Sequence, residues 1–137
     1  MAALFNLKVY EADSTFLEGR AEFVVIPTVD GEFGVMAKHE NMVVSIVPGM
    51  MKYRMEGGEM KYAALSSGMM RVENNDVLVL VESAEHPEEI DMKRALEEQE
   101  EAKEAMLQKK SEQDYFLAEA MLLRAVNRIR VKNRAGI

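Results

Sequence analysis

The chain has 137 residues, 48% of them hydrophobic, a formal net charge of -7, and neither cysteine nor tryptophan. That length supports one core of ordinary extent. The acidic balance argues against a nucleic-acid partner, whose phosphates call for a basic surface. Without thiols there are no disulfides and no thiolate metal sites, as suits a reducing compartment. No apolar stretch reaches the roughly 18–20 residues that span a bilayer, and the first eight residues do not read as a secretory signal. Most of the 12 methionines are expected to fill core space.

Short runs rich in Val, Ile, Phe and Tyr recur from Leu4 to Val81. Phe5, Leu7 and Val9 alternate with Asn6, Lys8 and Tyr10, the period-2 pattern of a half-buried strand. Two further runs cover Thr15 to Gly19 and Ala21 to Pro27, where Pro27 is expected to end pairing because it has no N–H. Val29-Asp30-Gly31-Glu32 reads as a turn, and so does Gly31-Glu32-Phe33-Gly34, since no helix follows to make it a phosphate loop. Met42 to Val47 is a near-continuous apolar strand ending at Pro48-Gly49. Met50 to Met55 and Glu59 to Leu65 flank Gly57-Gly58. Gly68 to Val72 and Val77 to Val81 flank Glu73-Asn74-Asn75-Asp76. About nine short strands at regular spacing predict an antiparallel β-sandwich or flattened barrel over residues 1–86.

After Glu85-His86-Pro87 the residue types change. Ile90 to Lys110 contains no Gly or Pro and is dominated by strong helix formers. Asp91 is placed to cap this helix, whose weak apolar stripe is Met92, Ala95, Leu96, Gln99, Ala102 and Met106. Ser111-Glu112-Gln113-Asp114 resembles a capping box that opens a second helix. Its stripe is Tyr115, Ala118, Leu122, Ala125, Val126 and Ile129, widened by Leu117, Met121 and Leu123. The short Lys109-Lys110-Ser111 link predicts an antiparallel hairpin over 87–137. The fold class is therefore α+β.

Acids crowd the first helix, and the second closes on Arg124, Arg128, Arg130, Lys132 and Arg134. One reading makes these charges solvated faces that complement the helix dipoles. The other makes the hairpin a marginal element that opens, because an alanine-rich seam buries little at ~0.8 kcal/mol per CH2 and exposed ion pairs add at most about 1 kcal/mol each. Catalytic constellations are missing: there are two histidines, His39 and His86, with no nucleophile elbow and no Gly-rich phosphate loop. His39 falls in a polar loop that suits a structural hydrogen bond. The acids are scattered or lie along a helix face, so no metal site is expected. The chain does not read as an enzyme.

Gly31-Glu32-Phe33-Gly34-Val35-Met36-Ala37-Lys38-His39 resembles the Gly-Glu-hydrophobic-Gly-Ile-Leu-Pro-Gly-His segment of the epsilon subunit of F-type ATP synthases. Ala37, Lys38 and Asn41 stand where that family often has Pro, Gly and Pro. Met42 to Gly49 is similar to the family's next strand. Ser67 to Val72 and Val77 to Leu80 resemble the last strands before its helices. Glu89-Ile90-Asp91-Met92-Lys93-Arg94-Ala95 resembles its Ile/Leu-Asp-x-x-Arg-Ala motif, and Leu123 to Arg128 the end of its second helix. The resemblance spans essentially the whole chain, in order.

The resemblance implies a non-catalytic subunit of the central rotor stalk of a proton-translocating synthase. Such a subunit is peripheral at the cytoplasmic face of a bacterial cell membrane and associates with the membrane only through the complex. It implies that residues 1–86 contact the gamma subunit and the c-ring, with Gly31, Glu32, Phe33, Gly34 and His39 as the rotor contact loop. It implies that residues 87–137 are regulatory. Extended, the hairpin inhibits ATP hydrolysis at the catalytic beta and alpha subunits through Arg124, Arg128, Arg130, Lys132 and Arg134. Folded, it binds ATP, with Mg as an accompanying ion, through Glu85, Ile90, Asp91, Arg94, Ala95, Arg124 and Arg128. Glu101 stands about where some relatives supply another arginine. Two helix-two arginines at i, i+4 share a face and suit polyphosphate. The same residues also need no nucleotide: Asp91 as a cap, Arg94 paired with Glu98 at i+4, and bases at a helix C-terminus. The alternative function is a free-standing ligand-binding β-sandwich whose helical tail dimerises it.

Overall fold

The computed structural model describes residues 3–108 and 110–136. The chain forms two compact units, 1–85 and 86–137. The described residues of the first form nine strands: β1 (Phe5–Tyr10), β2 (Thr15–Thr28), β3 (Gly31–Met36), β4 (Met42–Ile46), β5 (Gly49–Met55), β6 (Lys61–Leu65), β7 (Gly68–Glu73), β8 (Asp76–Val81) and β9 (Ala84–Glu85). Their order is β4-β7-β8-β1-β2-β5-β6-β9, with β3 also pairing β2. All pairs are antiparallel except β1 with β8.

Strand β2 makes this sheet a sandwich. Its first half pairs with β1 and its second half with β3 and β5. Ala21 is buried in the first half and Val24 and Ile26 in the second, so the inward parity changes from odd to even. The register with β5 shifts between Ala21 and Phe23. One extra residue there turns the strand and keeps apolar side chains inward on both sides of the bend. Pro27 does not end the strand, contrary to the expectation. It sits opposite Glu32, and its carbonyl accepts from the Val47 N–H at 3.1 Å. That bond draws the end of β4, the first strand in the order, against β2, and the sheet closes on itself.

The core between the layers holds Phe5, Leu7, Val9, Val24, Ile26, Val35, Met51, Tyr53, Met70, Val72, Val77 and Val79, each almost wholly removed from water. Gly68 opens β7 at a close approach. A Cβ there would run into the Leu80 carbonyl and the Val81 Cα.

The second unit begins with a single 3-10 turn, Pro87–Glu89, followed by α1 (Met92–Gln108) and α2 (Glu112–Ala135). Asp91 caps α1: its Oδ1 accepts from the Arg94 N–H at 3.1 Å and its carbonyl from the Ala95 N–H at 2.9 Å. Ser111 caps α2, its Oγ accepting from the Asp114 N–H at 3.1 Å, and Gly136 ends it in the left-handed region at φ 75. Lys109 of the expected link lies outside the described residues. The helices meet along Ala95 and Ala102 of α1 and Ala118 and Ala125 of α2. Leu96, Leu117 and Leu123, counted as stripe residues from the sequence, are instead exposed. Alanine at the closest approach brings the axes together and leaves the flanking leucines outside. No described helix is long and apolar enough to cross a membrane.

Candidate functional site

The residues singled out by sequence fall into two groups. The first surrounds the start of α1. Ile90 ends the 3-10 turn, where its N–H donates to the Pro87 carbonyl, and it is buried. Asp91 is exposed and engaged as the helix cap. Arg94 lies in the first turn of α1 with an exposed side chain, and its Nε donates to Glu98 Oε1 at 3.0 Å. Ala95 is buried against α2.

From α2, Arg128 donates through Nη1 to the other oxygen of the same carboxylate, Glu98 Oε2, at 3.3 Å. The fold thus brings Arg94 and Arg128 together from opposite helices. Arg124, one turn earlier on α2, is exposed. Glu85 belongs to the other unit, as the last residue of β9, in register with Ala64.

The basic run is not uniform. Lys132 turns inward and donates from Nζ to the Pro87 carbonyl at 3.0 Å. Arg130 and Arg134 are exposed. Arg128 and Lys132 therefore fasten the helical unit to itself, a role that composition did not reveal. Sequence reasoning also missed Asn127 and Val131, buried on α2 away from the alanine seam. Their positions, a helical turn apart, were the available signal.

The reading of Gly31 to Gly34 as a turn needs correction. Gly31, Glu32, Phe33 and Gly34 are not a turn: they lie in β3, paired with β2. Val35 is buried and Phe33 partly so, a period-2 pattern that the two glycines obscured. The turn itself is Val29-Asp30, with Gly31 at φ 112. Glu32 pairs with Lys52 at 2.8 Å. His39 stands in the following loop, its ring edge-on to Phe33 at 5.7 Å and its Nδ1 2.9 Å from the Glu40 carbonyl. Lys38 occupies the left-handed region at φ 63, and its N–H donates to Asn75 Oδ1 at 2.8 Å. The loop keeps a glycine-type backbone without a glycine.

The family model of the ATP synthase delta/epsilon chain β-sandwich domain matches residues 4–87, and that of its long α-helix domain matches residues 88–133. The chain belongs to the ATP synthase delta/epsilon family. Among its relatives, the ATP synthase epsilon chain of Clostridium novyi is 40% identical over 129 residues, covering 94% of this chain and 98% of that one. That of Caldicellulosiruptor saccharolyticus is 36% identical over 129 residues, covering 94% and 93%. Among solved structures, a chain of the Euglena gracilis mitochondrial ATP synthase, determined with OSCP, F1 and c-ring, superposes with TM-score 0.84 at 27% identity, covering 93% of this chain and 80% of that one. A chain of the Tetrahymena thermophila mitochondrial ATP synthase central stalk shares the fold, with TM-score 0.59 at 12% identity over 99% of this chain and 98% of that one. Membership of this family makes the chain a non-catalytic subunit of the synthase.

Proposed function

We propose that this chain is the epsilon subunit in the central stalk of a bacterial proton-translocating F-type ATP synthase. In this reading its sandwich anchors it to the gamma subunit and the c-ring. Its hairpin restrains ATP hydrolysis by exchanging a folded form, stabilised by ATP, for an extended form that meets the catalytic beta and alpha subunits. The subunit works at the cytoplasmic face of the cell membrane, attached only through the complex.

The observation that carries the reading is the convergence of Arg94 and Arg128, from two helices, on one carboxylate. Two guanidinium groups a few ångströms from a common acceptor form an anion site that exists only while the hairpin is folded. Such a site couples ligand binding to hairpin closure, because a ligand shifts an equilibrium by its preference for one state. The alanine seam makes the shift affordable for a ligand of modest affinity. Leu107, Phe116, Leu117 and Leu123 remain exposed on the folded hairpin and offer apolar area to a second arrangement. Opening also frees Arg128 and Lys132 from their internal acceptors and adds them to the basic face of α2.

The test is ATP hydrolysis by the assembled complex with and without residues 91–137, across ATP concentrations. Removing the hairpin should raise hydrolysis, most strongly at low ATP, where the folded form lacks its ligand. Unchanged hydrolysis at every ATP concentration sinks the proposal.

A further inference from the structure

Both oxygens of the Glu98 carboxylate are engaged by arginines of opposite helices: Oε1 by Arg94 Nε and Oε2 by Arg128 Nη1. The Glu98 side chain keeps only 22% of its exposure, so it is shielded more than an ordinary surface acid. We propose that Glu98 is an internal anion that occupies the arginine pair when no ligand is present. A polyphosphate then binds the hairpin only by displacing this carboxylate. The inference rests on the reading of the hairpin as a nucleotide site and adds what sets its threshold.

The physical case is one of competition for the same donors. A carboxylate offers two acceptor oxygens and one charge, and here each oxygen already takes a charge-assisted bond. A triphosphate offers more acceptors and more charge, so it wins when concentrated, while the tethered carboxylate wins when the ligand is dilute. Glu98 follows Arg94 by one helical turn on α1, which keeps it beside Arg94 whether the hairpin is open or closed. Arg128 lies 30 residues away and reaches Glu98 only in the closed hairpin. The same carboxylate therefore latches the empty hairpin across its seam and raises the ligand concentration needed to occupy it. Glu98→Gln keeps the shape, removes the charge and leaves one carbonyl acceptor.

The experiment has two arms on the full chain. Because the chain has no cysteine, Ala105→Cys with Ala120→Cys places spin labels on exposed positions of the two helices. Without ligand, Glu98→Gln and Arg128→Gln should each widen the label-to-label distance distribution. The double variant should widen it no further than either alone. In the second arm, ATP and inorganic tripolyphosphate are titrated into the parent, Glu98→Gln and Glu97→Gln, the last carrying the same charge change one residue away. Glu98→Gln should bind about three- to tenfold more tightly than the parent, the loss of roughly two competing ion pairs, and Glu97→Gln should match the parent. Tighter binding of tripolyphosphate but no binding of ATP to any variant would keep Glu98 as the gatekeeper and remove the nucleotide. No gain for either ligand in Glu98→Gln, or an equal gain in Glu97→Gln, overturns the Glu98 proposal whatever the parent binds.

Discussion

The sandwich and the hairpin use similar apolar residues to opposite ends. In the sandwich, Phe5, Leu7, Ile26, Met51, Tyr53 and Met70 are sealed from water between two layers. In the hairpin, the wholly buried positions of the helix seam are alanines, while Leu107 and Leu117 remain 79% and 64% exposed. A buried leucine contributes several CH2 equivalents at about 0.8 kcal/mol each, and a buried alanine about one. One unit is thus built to hold a single state. The other holds its state by the alanine seam, buried Ile90 and Val131, two caps, and the ties of Arg128 to Glu98 and Lys132 to Pro87. On the proposed reading, that small margin lets a ligand shift the hairpin between two forms.

Substitutions can break this contrast at graded cost. Leu7→Ala removes a fully buried side chain from the sandwich and should cost about 3–5 kcal/mol, seen as a large fall in the denaturant midpoint of the strand signal. Gly68→Ala pushes a methyl group into the Leu80 backbone and should cost about 1–3 kcal/mol in the same assay. Ala125→Leu overfills the seam. It should open the hairpin by about 1–2 kcal/mol while the sandwich midpoint stays put; a coupled loss of both would show that the units do not differ as described. Ser111→Ala removes the α2 cap and should lower helix stability by ~1 kcal/mol, read from helical circular dichroism on heating. The smallest effect has the opposite sign. Lys38→Gly relieves a left-handed residue and should raise the sandwich midpoint by roughly 0.5–1 kcal/mol.

The same contrast governs how far the sequence could be read. The alternation of Phe5, Leu7 and Val9 announced β1, and the caps Asp91 and Ser111 announced both helices, because each signal is local. The unity of β2 was hidden, since its inward parity changes near Glu22 and Pro27 looked like a stop. Strand β3 was hidden behind Gly31 and Gly34. Leu96 falls in the α1 stripe and Leu117 and Leu123 widen that of α2, yet all three stay exposed, because periodicity reports direction around a helix, not how closely two axes approach. The link of Arg94 to Glu98 was legible as an i+4 pair. That of Arg128 to Glu98 was not, because the two residues lie 30 apart in sequence and meet only through the register between the helices. The candidate site is therefore half written in spacing and half in packing.

Hydrogen exchange across the whole chain, with and without millimolar ATP, tests the central claim most directly. Amides of α1 and α2 should exchange orders of magnitude faster than those of β1, β7 and β8, and ATP should slow the helical amides alone. Equal protection of strands and helices without ATP, or slowing spread evenly over both units, would contradict a rigid anchor carrying a ligand-biased switch.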